Sequence, residues 1–380
     1  MELTTAQTHD PDGRPRARAL GIPLPGAPGP LNAITDVPGL AVGMTTLVVG
    51  EGPLRVGAGP VRTGVTAILP RGKDGVGVPC AAGWYSLNGN GEMTGTTWIE
   101  ESGALSMPVA ITNTHSVGAV HDGVLAWTYR NHPRVGVQWM LPVVAETWDG
   151  YLNDINGRHV RAEHVEAALD GAVAGPVSNG SVGGGTGMNC YSFKGGTGTS
   201  SRVVRHGSRD YTVGVLLQAN FGDRGELSVA GVPLGAELAD DNPMGEGSWF
   251  ARDLGSAGVE GAGSVIVVVA TDAPLLPGQC KALARRVPLG LARTGSTAHH
   301  GSGEIFLAAA LGLRAPRGEA PRGTPLTGRD LDPYFEAVVD ASEEAVLASL
   351  LAAHDVTGVE GRTIAALPVD RVRRLLEGRP

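Results

Sequence analysis

The residues best suited to chemistry are a serine and the strand that it precedes. Ser264 follows a Gly- and Ala-rich segment, Gly255 to Gly263, and five branched apolar residues, Val265 to Val269, come directly after it. Such a run predicts a strand that is buried on both faces. If the Gly263–Ser264 bond is cut, Ser264 carries both a hydroxyl nucleophile and a free α-amine, whose ordinary pKa of about 7.7–8.0 suits a general base. The alternative interpretation is a glycine-rich turn that leads into an ordinary core strand.

Four other side chains offer groups for the same chemistry. Ser302 and Glu304 are two residues apart, so in an extended chain they point to one side and can hold and orient an amine. Asn220 follows an apolar run, where its amide can donate to an oxyanion. Glu146 ends another apolar run, where its carboxylate can bind a substrate ammonium group. Each has an ordinary alternative: a glycine-rich turn with a solvated acid, an asparagine in a turn, and an acid at a strand end.

A glycine-rich tract, residues 183–187 and 195–202, invites comparison with phosphate-binding loops. It lacks both the GxxxxGK[ST] spacing and a GxGxxG that opens a helix, so close backbone packing near a site is the better explanation. Thr199, Ser200 and Ser201 in this tract are alternative nucleophiles, but no buried strand is predicted to begin at any of them.

Composition and charge exclude several classes of function. The net charge of −8 has no basic counter-patch, which argues against a nucleic-acid partner. The histidines, including the adjacent pair His299 and His300, which we expect to be exposed, show no metal-ligand spacing, so we expect no metal. The three cysteines are far apart, which favours a reducing compartment over a disulfide framework. With no signal peptide and no apolar run of membrane-spanning length, we expect a cytoplasmic protein that does not enter a membrane.

The chain is predicted to be an α/β protein with one large domain. Residues 1–32 are expected to form an irregular arm, and residues 33–380 the domain. Residues 237–263 resemble a long surface loop, which is a plausible place for a chain break. The predicted strands are residues 64–69, 107–113, 135–146, 211–218, 264–271 and 304–309. The predicted helices are residues 118–130, 162–172, 278–292, 333–353 and 369–376, the fourth with Asp332 as its cap.

Taken together, these segments resemble one family, the self-processing L-aminopeptidase/D-esterase and β-aminopeptidase family. The resemblance runs from about residue 31 to 314. It is carried by the strings at residues 88–95 (NGNGEMTG), 111–118 (ITNTHSVG), 152–157 (LNDING), 194–202 (KGGTGTSSR), 264–274 and 301–304 (GSGE). It implies the four-layer αββα sandwich of N-terminal-nucleophile-like hydrolases. It further implies that no metal or cofactor is needed, and that processed protomers assemble as tetramers.

The resemblance also implies a role for each candidate residue. The precursor would cut itself between Gly263 and Ser264, giving an α chain of residues 1–263 and a β chain of residues 264–380 that stay associated. Ser264 would be the nucleophile and its freed amine the base, and Asn220 would donate to the oxyanion. Ser302 and Glu304 would orient the nucleophile, and Glu146 would receive the substrate's amino group.

One departure from the family concerns the substrate side of the site. The family pattern can read Glu-x-Tyr where this chain has Glu146-Thr147-Trp148. Trp148 has no hydroxyl to help the oxyanion, and Tyr151, three residues further on, is the alternative source. The preference among L-amino acid amides, D-alanyl esters and β-peptides is therefore left open.

The sequence predicts a self-activated serine aminopeptidase that acts on small peptides, amides or esters. Two rivals remain at this point. One is an acyltransferase resembling ornithine acetyltransferase, which also cleaves itself but uses a threonine after the cut. The other is a non-enzymatic nucleotide-binding protein, which only the glycine tract suggests.

Overall fold

The fold is known from a computed structural model, which describes residues 3–244, 263–313 and 324–377. The predicted chain break falls beside residues 245–262, so most of the segment that precedes Ser264 lies outside the described residues. The strands are β1 Ala41–Val49, β2 Val61–Leu69, β3 Cys80–Gly89, β4 Ala104–Leu105, β5 Val109–Asn113, β6 Val143–Thr147, β7 Asn189–Cys190, β8 Phe193–Lys194, β9 Gly196–His206, β10 Arg209–Asn220, β11 Ser228–Val229, β12 Val232–Pro233, β13 Gly263–Thr271, β14 Ser302–Ala310, β15 Val356–Thr357 and β16 Thr363–Ile364.

Helices lie between and after the strands. The α-helices are α1 Thr5–Thr8, α2 Thr96–Ser102, α3 Val117–Asn131, α4 Pro133–Gly136, α5 Ala162–Asp170, α6 Pro277–Ala284, α7 Val287–Arg293, α8 Asp332–Leu351 and α9 Val369–Glu377. Short 3-10 segments cover Ala17–Leu20, Ile34–Asp36, Thr114–Ser116, Ile155–Gly157, Gly183–Gly185, Arg224–Glu226, Ala236–Leu238, Gly328–Leu331 and Val359–Gly361. None of the helices within the three described ranges has the length and apolar character needed to span a lipid bilayer.

Two sheets form the centre of the molecule. One has the strand order β1-β2-β5-β6, and the other has the order β4-β3-β14-β13-β10-β9. Buried side chains of both sheets meet in one hydrophobic core between them. A second core joins the six-stranded sheet to α6, α7 and α8, and a third joins the four-stranded sheet to α3 and α5. The layers are therefore helix, sheet, sheet and helix, which confirms the αββα sandwich.

Strand β13 shows how the layers fit together. Its odd-numbered residues from Val265 to Val269 belong to the core on the helix side, and its even-numbered residues from Ile266 to Ala270 belong to the core between the sheets. Both faces are thus buried, as the branched run predicts. Because side chains alternate along a strand, Ser264 points toward the layer between the sheets.

Two predicted elements differ from the structure for a local reason. The strand predicted from residue 135 begins only at Val143, just after Pro142, and α4 occupies the start of that range. The helix predicted over residues 278–292 is divided into α6 and α7. Pro288 cannot donate a hydrogen bond and its ring crowds the carbonyl four residues earlier, so α6 ends at Ala284. Asp332 is the first residue of α8, whose N-cap is Leu331.

The N-terminal arm packs against the six-stranded sheet and its helices. Arg16 is buried and donates a hydrogen bond to the carbonyl of Thr199 on β9 at 3.1 Å. Arg18 forms an ion pair with Glu344 on α8 at 2.9 Å. These contacts hold the arm in place although its own backbone is mostly irregular.

Candidate active site

Three predicted site positions come together at one edge of the six-stranded sheet. Ser264 is the second residue of β13, and it pairs with Asn220 on β10 and with Gly303 on β14. Ser264 and Asn220 are each only 3% exposed. The serine that the sequence singled out therefore lies directly between the amide of Asn220 and the Ser302–Glu304 segment.

The residue before the serine has no room for a side chain. A Cβ placed on Gly263 would stand 2.5 Å from the backbone oxygen of Asn220. Such a contact is too close for any Cβ, so glycine is required for the strand to pair here. Gly263 also pairs with Ser302 on the other side. The predicted scissile bond is thus held between two neighbouring strands.

The amide of Asn220 has a fixed orientation. Its Oδ1 accepts hydrogen bonds from the backbone N–H of Asn189 at 3.0 Å and from Asn189 Nδ2 at 3.2 Å. Its Nδ2 donates to the carbonyl of Trp148 at 3.0 Å. Because a backbone N–H can only donate and a carbonyl can only accept, these partners identify the oxygen and the nitrogen. One hydrogen on Nδ2 remains available as an oxyanion donor.

Ser302 and Glu304 project from the same side of β14, as predicted, but their side chains are incompletely paired. Ser302 Oγ and Glu304 Oε2 are both buried without a hydrogen-bond partner among the described residues. Burial raises the pKa of Glu304, and the nearby Ser302 and Asn88 side chains oppose this rise only in part. Such unpaired buried atoms are rare in folded proteins and call for an explanation. The backbone nitrogen of Ser264, which cleavage would turn into an amine, lies next to the position paired with Ser302.

Glu146 comes from the other sheet and reaches the same edge. Its Oε1 accepts a hydrogen bond from the backbone N–H of Glu92 at 2.9 Å, and Thr114 donates its hydroxyl to Oε2. Burial raises the pKa of Glu146, and the two donors partly offset that rise. A Cβ on Gly91 would lie 3.3 Å from Glu146 Oε1 and 3.6 Å from Gly303 Cα. Gly91 thus lies between the Glu146 carboxylate and Gly303, the residue that pairs with Ser264.

The two aromatic residues on the substrate side are placed differently. Trp148 joins the site through its backbone, since its carbonyl accepts the hydrogen bond from Asn220. Tyr151 is buried in a small hydrophobic cluster with Leu152, Val356 and Ile364, and the Trp148 ring packs against that cluster. Which of the two shapes substrate preference stays a prediction.

The alternative nucleophiles have other roles. A buried strand, β9, runs through Thr199, Ser200 and Ser201, where none is predicted from the sequence. Their hydroxyls donate to the carbonyl of Val215 at 2.6 Å, to the carbonyl of Ala341 at 2.6 Å and to Asp36 Oδ2 at 2.6 Å, in that order. These hydroxyls hold the strand against its neighbours.

The glycine tract does not form a phosphate cradle. The backbone N–H of Gly183 donates to Thr46 Oγ1 at 2.8 Å, and that of Gly184 donates to Thr66 Oγ1 at 3.1 Å. The N–H of Gly185 donates to the carbonyl of Val182 at 3.0 Å. Since phosphate loops bind through free backbone N–H groups, this segment lacks the required donors. Its glycines permit close backbone packing, as the sequence indicated.

A group of ionisable side chains lies beside β14. Asp223, Glu226 and His299 place ligand-type atoms within 4.8 Å of one another. His299 is partly buried rather than exposed, and its Nε2 lies 2.7 Å from Glu226 Oε1. The hydrogen bond to Glu226 is the main reason why the pKa of His299 is raised. The hydrogen bond between His299 and Glu226, with Asp223 3.6 Å from the other ring nitrogen, links the three side chains.

Three residues of the site were not found from the sequence. Asn189 orients Asn220, Thr114 contacts Glu146, and Asn88 lies near Glu304. Asn88 and Thr114 stand within the strings that carry the family resemblance, so those strings were the available signal. Asn189 has no such signal, because it reaches Asn220 only when β7 folds against the end of β10.

Comparisons with known proteins identify the family of the chain. A sequence profile of peptidase family S58 matches residues 32–364. The β-peptidyl aminopeptidase BapA of Sphingosinicella microcystinivorans is 50% identical over 367 residues, which covers 96% of this chain and 92% of that protein.

Two solved structures are similar over nearly the whole chain. The L-aminopeptidase D-Ala-esterase/amidase of Ochrobactrum anthropi, described as a prototype serine aminopeptidase with a new variant of the N-terminal-nucleophile hydrolase fold, superposes with a TM-score of 0.88 at 43% identity. That match covers 96% of this chain and 99% of the other. A Burkholderia sp. β-aminopeptidase superposes with a TM-score of 0.82 at 44% identity, covering 96% of this chain and all of the other, 100%.

Proposed function

The chain belongs to peptidase family S58 and is a hydrolase of the aminopeptidase type, and from that premise we propose that it activates itself by cutting the bond between Gly263 and Ser264. The observation that carries this proposal is the alignment of Ser264 between Asn220 and Gly303, with Ser302 and Glu304, whose side chains are incompletely paired among the described residues, on the adjoining strand β14. Ser264 therefore has the neutral donor Asn220 on one neighbouring strand. The residues that would hold its amine, Ser302 and Glu304, are on the other.

The self-cleavage step needs only groups that the chain supplies. Ser264 Oγ attacks the carbonyl carbon of Gly263 and forms an ester as the peptide C–N bond breaks. The nitrogen of Ser264 takes up the proton that the hydroxyl releases and becomes a free amine, and water then hydrolyses the ester. The products are an α chain of residues 1–263 and a β chain of residues 264–380, which remain joined through the paired strands β10, β13 and β14.

Peptide hydrolysis then repeats the same chemistry on a substrate. The substrate's ammonium group binds the Glu146 carboxylate, and Ser264 Oγ attacks the first carbonyl. The free hydrogen on Asn220 Nδ2 donates to the oxyanion, a contact worth about 3–4 kcal/mol of barrier lowering in a comparable enzyme. The α-amine of Ser264 takes the hydroxyl proton and gives it to the leaving nitrogen. Water then releases the acyl group from Ser264.

The unpaired side chains of β14 gain a purpose in this scheme. A newly formed α-amine is a hydrogen-bond donor that the intact precursor does not have. Among the described residues, Ser302 Oγ and Glu304 Oε2 are buried acceptors without a donor, and the proposed amine would provide one. Because a carboxylate near an amine raises its pKa, Glu304 would adjust the base as well as position it.

The substrate class follows from Glu146. A buried carboxylate that is already held by Glu92 and Thr114 suits a substrate with a free amino group, so we expect N-terminal residues to be released from small peptides, amides or esters. The names of the relatives suggest both β-amino acids and L-amino acids as substrates. We propose that Trp148 and Tyr151 determine which of these substrates the protein prefers.

We propose that the processed protein is a cytoplasmic homo-oligomer, a tetramer of cleaved protomers. Support for the cytoplasm comes from Cys80, Cys190 and Cys280, which are buried and unpaired. Such thiols suit a reducing compartment. Size-exclusion chromatography with light scattering tests the oligomeric state.

Replacing the nucleophile tests the proposed function. S264A should remain one intact chain on denaturing electrophoresis and should show no hydrolysis of aminoacyl-nitroanilides, whereas the wild type should give two chains, one with Ser264 as its first residue. S208A is the matched control, because Ser208 lies in an exposed turn between β9 and β10. It should cleave and hydrolyse as the wild type does.

Other outcomes would contradict the proposal. An active wild type that stays a single chain would exclude an N-terminal nucleophile. Transfer of an acetyl group from acetyl-ornithine to glutamate, without aminopeptidase activity, would favour the acyltransferase instead.

A further inference from the structure

A buried lysine lies one peptide group away from the proposed oxyanion donor. Lys194 is completely buried, at 0% exposure. Its Nζ donates to the carbonyls of Met188 at 2.6 Å, Gly195 at 2.9 Å and Gly185 at 3.3 Å. An ammonium group has three donor hydrogens, so these carbonyls use all of them. The family strings include this lysine, but nothing in the proposed mechanism uses it.

The Met188–Asn189 peptide group connects this lysine to Asn220. Its carbonyl oxygen accepts the hydrogen bond from Lys194 Nζ at 2.6 Å, and its N–H donates to Asn220 Oδ1 at 3.0 Å. A cation on a peptide oxygen draws electron density from the nitrogen and makes the N–H a stronger donor. In the same way, an amide whose oxygen accepts a stronger bond becomes a better donor through its nitrogen. The charge can therefore act on Asn220 Nδ2 through two amide groups.

The backbone holds this arrangement at some cost. Strands β7 and β8 form a tight hairpin in which Asn189 pairs with Lys194. The two turn residues, Tyr191 and Ser192, have φ angles of 52° and 57°, values that residues other than glycine rarely adopt. Strain of this kind persists when the surroundings fix it. Arg224 does so here, by donating to the carbonyl of Ser192 at 2.5 Å.

Resting on the proposed function, we propose that Lys194 is a positioning residue for catalysis: its ammonium group fixes and polarises the Met188–Asn189 peptide group and, through it, the oxyanion donor Asn220. Lys194 contacts no reacting atom in this scheme. It raises the rate by holding one donor in place and strengthening it.

The charge of Lys194 depends on its surroundings. Burial lowers the pKa of Lys194 to about 7, and the carboxylate of Asp149 and the thiol of Cys190 oppose that effect. Asp149 lies in the segment after β6, and burial raises its pKa to about 7. His354, just after α8, also faces the lysine, whose charge helps to lower the pKa of His354. Lys194 is thus charged on the acid side of neutrality and loses its charge as the pH rises.

Substitution by an uncharged side chain of similar length tests the inference. In K194M, kcat per processed active site should fall about tenfold, which is part of the roughly 10²–10³-fold loss seen when an oxyanion donor is removed. KM should change little, since the substrate's ammonium group binds Glu146. K281M is the matched control, because Lys281 is half exposed and pairs with Glu100 on the surface. Its kcat should equal that of the wild type.

The pH profile separates this role from a merely structural one. The kcat of the wild type should decline on the alkaline side as Lys194 loses its proton, and K194M should lack that decline. If K194M yields no folded, processed protein, the pH profile of D149N tests the inference instead. Removing the Asp149 carboxylate lowers the pKa of Lys194 further, so the decline should move to lower pH.

Two results would overturn the inference while leaving the proposed function intact: an unchanged kcat in K194M, or an alkaline decline that K194M retains. An unshifted decline in D149N would do the same. A wild type that is neither cleaved nor active would overturn the proposed function first, and the inference with it.

Discussion

Two glutamates of this chain, Glu304 and Glu344, are each only 1% exposed, yet their surroundings are opposite. Glu344 Oε1 accepts hydrogen bonds from Arg18 Nε at 2.9 Å and Asn32 Nδ2 at 2.7 Å. Its Oε2 lies 2.9 Å from an Arg18 nitrogen and 2.7 Å from an Arg202 nitrogen. We call Arg18, Asn32, Arg202 and Glu344 the arm anchor, because they hold the N-terminal arm to α8 and β9.

We call Ser302 and Glu304 the site cluster. It is equally buried, but its hydrogen bonding is incomplete. One oxygen of each side chain has no hydrogen-bond partner among the described residues. Burial raises the pKa of Glu304. Burial also acts on Glu344, but the charges of Arg202 and Arg18 outweigh it and hold the pKa of Glu344 below its ordinary value. The carboxylate is therefore favoured in the arm anchor and disfavoured in the site cluster.

The difference separates architecture from chemistry. A buried charge is tolerated when its partners are complete, and removing one partner is then expensive. A buried carboxylate with a free oxygen costs stability, and it persists when function requires it. The arm anchor is complete in the intact chain, whereas the site cluster becomes complete only when cleavage supplies an amine. The comparison predicts that the two glutamates respond to mutation in opposite ways.

The largest expected effect is the loss of catalysis in E304Q. The variant keeps the size of the side chain but removes the charge that would orient and adjust the amine base. We expect kcat of processed enzyme to fall by about 10²–10⁴-fold, the range typical of general acid–base groups. In the uncleaved S264A background, where no amine completes the site cluster, E304Q should leave the free energy of unfolding the same or raise it, because an unfavourable buried charge is gone. Steady-state kinetics of processed E304Q and urea unfolding of S264A and S264A/E304Q measure the two quantities, and a large loss of stability with normal kcat would make Glu304 a structural residue.

The second largest effect is the loss of stability in E344Q. Without the carboxylate, Arg18 and Arg202 lose the counter-charge that both of them contact, so the free energy of unfolding should fall by about 3–5 kcal/mol. Activity per folded, processed molecule should be unchanged, because the arm anchor does not touch the site. The comparison between the two regions fails if E344Q lowers kcat as much as E304Q does.

How far the sequence predicted these two regions also differs. The site was largely predictable, because Ser264 comes directly before an apolar run and Asn220 and Glu146 each follow one. Residues at the ends of neighbouring strands lie close together in a sheet. The arm anchor was not predictable, since Arg18 and Glu344 are 326 residues apart and no local pattern connects them. Long-range pairing of this kind becomes visible only in the folded chain.

Strand β9 was missed for a related reason. Its first half, from Gly196 to Ser201, has the glycine and hydroxyl composition of a loop, and propensity alone disfavours a strand there. The structure buries it because distant groups satisfy its hydroxyls, such as Asp36 for Ser201 and the Ala341 carbonyl for Ser200. Tertiary contacts override local preference in this segment. The same reason hid Lys194 and Asn189, whose contacts depend on the β7–β8 hairpin.

The third prediction concerns the pH dependence of stability. The pKa of Glu344 is lowered on folding, so its contribution is present above the ordinary value of 4.5 and is lost as the pH falls through the lower folded value. The pKa of Glu304 is raised on folding, so its destabilising charge disappears as the pH falls through the raised folded value. Urea unfolding between about pH 3 and pH 7 should show that E344Q loses less stability in acid than the wild type does. In the uncleaved S264A background, E304Q should lack the gain that S264A alone shows when Glu304 is protonated, and variants whose pH curves match those of their parent proteins would contradict both assignments.

The smallest expected effect comes from an ion pair on the surface. Arg371 on α9 lies 3.0 Å from Asp240, and the two side chains are 41% and 75% exposed. Water can solvate the carboxylate that remains after substitution, so R371M should lower the free energy of unfolding by no more than about 1 kcal/mol. Added salt should reduce even this difference, whereas it should hardly affect the loss in E344Q, because buried pairs are poorly screened. Urea unfolding of R371M and E344Q at low and high salt measures the contrast. A loss in R371M as large as that in E344Q would mean that the number of ion pairs, and not their burial, decides how much they contribute to stability.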